Sequence, residues 1–291
     1  MRKNSYIFTI LFALLTVWLV SCYPDEKLDV DERDEDVELT ELDTYIQRNF
    51  IDEFGIAVRY RFDDNFVDFG ERVTPPKVDV VRPMLDFIEK FWIDPYLEVE
   101  NGEDFFRNNA PAELVFLGGF IFNSDGTVTL GTADAGAQIT FTNVNSIDPA
   151  DEDWLSLQLN TVYHEFAHFV HQKFKLPTAF ETISPTGYTS PGAWFTLTDG
   201  EANARGFVSP YATSSPNEDF AETVAFFLYD PEFHENFTTD EAGCTDAECE
   251  RRNEGREMLR QKLAAISSHY EKVTGINLDK LRGAVQSKLT E

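Results

Sequence analysis

Apolar residues fall at Leu155, Leu159, Val162, Phe166, Phe169, Val170 and Phe174. Steps of this kind predict a helix with one buried stripe, opening near Pro149 or Ser156 and closing after Lys173 and Lys175 at the break of Pro177. The spacing also predicts helices over 42–54, ended by Gly55, and over 80–92, with Pro83 in the first turn. Ile56 to Phe62 alternates as a strand, Glu113 to Leu117 reads as a buried strand, and Gln138 to Asn143 alternates again before the central helix. Asn123 to Gly126 is a turn leading into a strand over 127–130. A calcium loop is the functional alternative for Asp125, but the remaining ligand pattern is missing, and the turn is preferred. Pro177 to Gly192 is a loop that can cover a cleft. Further helices are predicted over 199–207, over 216–228 with a cap near Asn217 and a stop at Asp230-Pro231, and over 248–273 and 278–289. The whole is an α+β domain: a small mixed sheet, one central helix and a helical C-terminal half, with no internal repeat.

Composition fits a large core. Of 291 residues, 42% are hydrophobic, including 26 Phe, 10 Tyr and 4 Trp, ample for one large domain or one and a half. The formal net charge of −28 argues against nucleic acid, whose phosphates need clustered Lys and Arg, and reads as a solvated surface. At the N-terminus, Met1 to Lys3 is basic, Tyr6 to Val20 is apolar, and Leu19-Val-Ser-Cys22 ends the run with small residues. About fifteen apolar residues fall short of the roughly 20 that a membrane span needs. The pattern is that of an export signal and resembles the lipobox of bacterial lipoproteins, which implies a signal over 1–21 and lipidation of Cys22. Residues 22–41 are then an acidic disordered tether, and 42–291 the folded body. Membrane contact is expected through the lipid anchor alone. Asp25-Glu26 resembles the surface-export signals of Bacteroidetes lipoproteins, although a solvated linker looks the same. Apart from Cys22, the chain has Cys244 and Cys249, expected as a local disulfide in an oxidising compartment.

The chemistry concentrates in His164-Glu165-Phe166-Ala167-His168. Residues four apart on a helix lie one turn from each other on one face, so His164 and His168 can aim two imidazoles at one zinc ion. Glu165, about 100° around the helix, can take a proton from water bound there. The plain alternative is an amphipathic core helix whose histidines are merely hydrogen-bonded. A catalytic zinc needs a third protein ligand. His171 shares the stripe, but a stripe roughly 10 Å long cannot wrap three side chains around one ion, so His171 is expected to support a ligand or line the cleft. The extended metzincin pattern fails as well, since neither the Gly nor the later His follows His168. The second helix offers Glu218, Asp219 and Glu222. Glu218 and Glu222 share a face, so Glu218 is the expected ligand and Glu222 the acid that orients a histidine. Asp219 stays open as the alternative ligand.

Tyr211-Ala-Thr-Ser-Ser-Pro-Asn-Glu218-Asp-Phe-Ala-Glu222 resembles the catalytic-domain segment of anthrax lethal factor and related gluzincins. The resemblance implies that Glu218 binds metal, Glu222 supports the site, and the Tyr211 hydroxyl polarises the scissile carbonyl. In zinc peptidases of this broad class a strand placed like 138–143 forms the edge along which a substrate backbone lies; a plain edge strand is equally compatible. Lipobox, acidic tether and the two helical motifs together resemble a Bacteroidetes lipoprotein family of substrate-import-associated zinc metallohydrolases, encoded beside outer-membrane receptor pairs. That likeness implies a zinc metallopeptidase of zincin-like fold, held at the outer membrane facing periplasm or cell surface, acting on peptide or glycopeptide in nutrient capture. A zinc amidase acting on glycan or peptidoglycan, and a substrate-binding lipoprotein without catalysis, are the rival expectations.

Overall fold

A computed structural model describes residues 39–61, 73–122, 128–129, 131–134 and 137–291. The export signal, Cys22, nearly all of the tether and the turn carrying Asp125 lie outside the described residues. Thr40–Glu291 forms one compact unit.

Helix α1 (41–54) starts at a capping box between Thr40 and Asp43 and ends at Gly55, whose φ of 73° is left-handed. It leads into strand β1 (Ala57–Arg59), shorter than the alternation predicts. Helix α2 (78–97) begins earlier than expected, at Val78, which puts Pro83 beyond the first turn. Both helices carry a π turn, Gln47–Ile51 and Glu89–Ile93. Helix α3 (Gly102–Asn109) follows, unpredicted because it is short and polar. Then come β2 (Glu113–Phe116), β3 (Ile121–Phe122), β4 (Val128–Thr129), β5 (Gly131–Asp134) and β6 (Gln138–Phe141).

β1, β2, β6 and β5 form one sheet in that order, while β3 and β4 pair separately. β1 and β6 run parallel to β2; β5 runs antiparallel to β6. The alternating stretch at 138–143 is therefore an interior strand, and the edge belongs to β5. Gly131-Thr-Ala-Asp134 has no large apolar residue to mark a buried face, and Gly, Ala and Asp are poor strand formers, so the sequence pattern pointed one strand too far inward. Leu114, Phe116, Ile139 and Phe141 enter the main core, whereas Val115, Leu117 and Ile121 make a smaller cluster on the other side. A strand covered on both faces reads as a continuous apolar run, as β2 does.

Helix α4 (Glu152–Phe174) runs through the core. Asp151 caps it by accepting from the Asp153 and Trp154 amides, which fixes a start between the two expected ones. Phe166 meets Trp92 and Tyr96 edge-on, each ring 5.3 Å away, so the motif helix is gripped on the side opposite its histidines. Short helices α5 (Thr178–Glu181) and α6 (Asp199–Ala204) precede α7 (Pro216–Tyr229), which lies along α4. The α7 cap is Ser215, with Pro216 at the first helical position; Asn217, expected near the cap, lies inside the helix. Helices α8 (Ala247–Thr274) and α9 (Leu278–Thr290) pack behind it. Cys244 and Cys249 are bonded to each other at the start of α8, with Cα atoms 5.4 Å apart. Among the described residues no helix is long and apolar enough to cross a membrane.

Candidate metal centre

Two imidazoles from α4 and one carboxylate from the first turn of α7 meet at a point. His164 Nε2 and His168 Nε2 are 3.0 Å apart, and Glu218 Oε2 lies 3.1 Å from the first and 3.2 Å from the second. Bonds of about 2.0–2.1 Å in a tetrahedral arrangement place ligand atoms roughly 3.3 Å from one another. The observed triangle fits one face of such a tetrahedron, with the donor types, two nitrogens and an oxygen, that zinc accepts. Among the described residues these three form the group able to hold a metal ion.

The triangle is braced from behind. His164 Nδ1 lies 2.8 Å from Glu222 Oε1, so that its other nitrogen is left facing the cluster. The second Glu222 oxygen accepts from the Ser209 hydroxyl at 2.6 Å, and Asn160 Nδ2 reaches the first at 3.5 Å. On the other histidine the partner is an imidazole: His168 Nδ1 and His171 Nε2 are 2.7 Å apart. Burial, reinforced by the neighbouring His168, lowers the His171 pKa to about 4, so its ring is neutral and accepts the His168 N–H. His171 thus supports a ligand instead of being one.

Asp219 is not part of the triangle. Its carboxylate turns into the interior and pairs with Lys262 Nζ at 2.7 Å, while the Tyr188 hydroxyl donates to it at 2.9 Å. The helical period separates Glu218 and Asp219 by about 100°, and the structure uses the two for different tasks.

Glu165 is 8% exposed. Burial raises its carboxyl pKa, with His164 and His168 pulling against the shift, which moves it toward the range that suits proton transfer near neutrality. Burial works to lower the His164 pKa, but the hydrogen bonds it donates to Glu218 and Glu222 win and raise it to about 10. Glu218 moves the opposite way: burial is outweighed by the two histidines, and its pKa is well below the usual carboxylate value. Tyr211 stands on a turn of 3-10 helix (Tyr211–Ser214), its ring 5.8 Å from that of His164. Burial, with Glu218 and Glu165 nearby, raises its hydroxyl pKa, so the phenol keeps its proton.

The sequence reading missed Asn160, Ser209, Tyr188 and Lys262. Asn160 had a signal, since it precedes His164 by one helical turn. Lys262 had one as well, lying on the stripe of Leu259, Ile266 and Tyr270, all buried. Ser209 and Tyr188 lie in loops and meet their partners only through the fold.

A mixed α/β domain whose central helix bears two histidines that converge with a carboxylate defines a class of proteins able to hold a metal ion. Residues 35–279 match the family described as "Putative zinc-binding metallo-peptidase", and the chain belongs to that family. It is similar to the crystal structure of a "putative zinc-binding metallo-peptidase" from Bacteroides caccae, with a TM-score of 0.69 and 29% identity over 86% of this chain and 91% of that one. No curated protein matches at a significant level.

Proposed function

We propose that this chain is a zinc-dependent metallopeptidase hydrolysing peptide bonds through activated water, anchored by a lipid on Cys22 at the outer membrane and serving nutrient uptake, facing the periplasm or the cell surface. The observation that carries the catalytic part is the triangle of His164, His168 and Glu218, with sides of 3.0–3.2 Å, beside a buried carboxyl. Zinc would be held by His164, His168 and Glu218 and would supply Lewis-acid activation of water near neutral pH. Glu165 accepts the proton of the attacking water and delivers it to the leaving amine. Tyr211, kept protonated, donates to the carbonyl oxygen as charge grows on it. Glu222 and His171 hold the two ligand imidazoles in the tautomer that turns Nε2 toward the centre.

A peptide is favoured over a glycan or peptidoglycan amide by the sheet. β5 ends it, beside α4, with no further strand beyond it among the described residues. Such an edge takes an extended backbone by strand addition. A pure binding protein on this scaffold has no use for a buried Glu165. Zinc content and peptide hydrolysis of wild type beside Glu165→Gln test the reading: both proteins hold about one zinc, and the variant loses roughly 10²–10⁴ in rate. Absence of zinc from the wild type, or full activity in the variant, defeats it. Products of mixed peptide and glycan substrates decide the substrate class, and the proposed partnership with an outer-membrane import receptor pair is tested by co-purification from solubilised membranes.

A further inference from the structure

Two large side chains that protrude beside the centre are both aromatic: Phe195 is 54% exposed and Tyr211 38%. Trp194 joins them, its ring 5.8 Å from Phe195 and 5.1 Å from Tyr211, edge to face in both contacts. Because the Tyr211 ring lies 5.8 Å from His164, an aromatic path runs outward from a ligand histidine to the surface.

The loop that carries Trp194 and Phe195 is fixed at both ends. On one side the Thr189 amide donates to the Thr213 carbonyl at 2.8 Å, and Tyr188 donates to the buried Asp219 at 2.9 Å. Gly187 sits so close to Phe207 that an added Cβ would come within 2.5 Å of its ring. On the other side Thr198 forms a capping box with Glu201 at the start of α6. Between these points the chain makes a 3-10 turn over Trp194–Thr196. The rings are thus presented by an anchored backbone, and little ordering is left for binding to cost. Exposed aromatic surface that adjoins a polar centre is characteristic of a ligand site.

We infer that Trp194 and Phe195 form a subsite for a large apolar or aromatic side chain of the substrate, within about three residues of the bond that is cleaved; this rests on the peptidase reading above. An extended peptide advances roughly 3.3 Å per residue, and Trp194 is two ring contacts from His164. Aromatic pairing of this kind adds roughly two- to tenfold in affinity beyond burial itself. An acidic side chain is disfavoured there, because the protein carries a formal charge of −28 and Glu218, Glu165 and Glu222 act electrostatically on the adjoining Tyr211.

The test has two readouts on the full chain. Zinc-loaded wild type, Phe195→Ser and Trp194→Ser/Phe195→Ser digest a peptide mixture, and the product ends are read by mass spectrometry. Separately, zinc-loaded Glu165→Gln protein, with and without Phe195→Ser, is titrated with acetylated pentapeptides that differ only in one Phe or Ser. Wild type is expected to enrich a large apolar or aromatic residue at one fixed position, and the enrichment to flatten in the variants. In the binding assay the Phe peptide is expected to bind roughly tenfold tighter than the Ser peptide, the preference collapsing when Phe195 is removed. Unchanged enrichment, or an equal preference with and without Phe195, overturns the subsite. A wild type that holds zinc but cleaves no peptide defeats the peptidase reading instead. The titration then decides the subsite, and tighter binding of an oligosaccharide probe than of the Phe peptide overturns it.

Discussion

Lys262 Nζ lies 2.7 Å from Asp219 Oδ2, and neither side chain is exposed at all. The ammonium also donates to the Gly206 carbonyl at 2.6 Å and sits 3.7 Å from the centre of the Phe207 ring. Asp219 is the neighbour of Glu218 in α7, Lys262 belongs to α8, and Tyr188 adds the loop in front of the centre. Three segments are therefore joined at one buried carboxylate. Burial raises the Asp219 pKa to about 6, opposed by Lys262, and it lowers that of Lys262. Each charge is tolerated because the other is present.

Removing only one of these charges should be worse than removing both. Lys262→Met leaves a buried carboxylate without its cation and is expected to cost about 3–5 kcal/mol, whereas Lys262→Met/Asp219→Leu, with apolar groups on both sides, is expected to recover most of that loss. Urea unfolding of the two variants and wild type measures the difference. A single variant as stable as the wild type would mean that the pair is not desolvated as the structure has it.

The central helix and its two ligands are legible in the sequence because period and chemistry coincide: the apolar stripe through Phe166 fixes the helix, and four-residue spacing fixes which histidines converge. Glu218 and Glu222 are legible for the same reason. The edge strand is not, because Gly131 to Asp134 forms a strand only through backbone pairing with β6, which leaves no mark on residue type. The π turns in α1 and α2 shift the helical phase without changing the apolar content. Ser209 is thirteen residues from Glu222, and only the fold brings its hydroxyl to that carboxylate. Long-range polar pairing of this kind carries no local pattern to read.

Glu222→Gln should loosen the metal without emptying the fold. The carboxylate sits 2.8 Å from His164 Nδ1, where its charge makes the imidazole a better donor and holds its orientation. Loss of such an outer carboxylate lowers metal affinity by about 10–100-fold. Competition with a chromophoric chelator measures this, and Ser209→Ala, which removes a bond to the other Glu222 oxygen, should give a smaller loss of the same sign.

Zinc uptake should depend steeply on pH. In the metal-free protein the His164 pKa is raised from 6.5 to about 10, so the ring holds a proton that the metal has to displace. The apparent affinity is expected to rise about tenfold per pH unit for each proton released, below that pKa. The stability of the metal-free form moves oppositely. A histidine with a raised folded pKa contributes stability that is fully present below its unfolded value and is lost as pH rises through the folded one. Between roughly pH 6.5 and 10 the metal-free protein should therefore lose stability while zinc binds more tightly. Melting curves with and without zinc across that window check both signs, and flat zinc affinity over it would contradict the protonated pairing of His164 with Glu218 and Glu222.

Tyr211→Phe separates binding from catalysis. The hydroxyl belongs to a turn next to the centre and hydrogen-bonds Glu218, but it is not one of the three donor groups of His164, His168 and Glu218, so the protein should still hold about one zinc. Its proton is held by burial and by the nearby acids, which keeps the phenol a donor throughout the working range. A donor that acts on charge present only in the transition state affects kcat far more than KM. Its loss is expected to cost about 10²–10³ in kcat. Steady-state kinetics on a peptide found to be cleaved by the wild type measures the split. If kcat stays within a factor of two while KM rises, the ring serves Trp194 and the substrate side chain, and the oxyanion must be stabilised by another group.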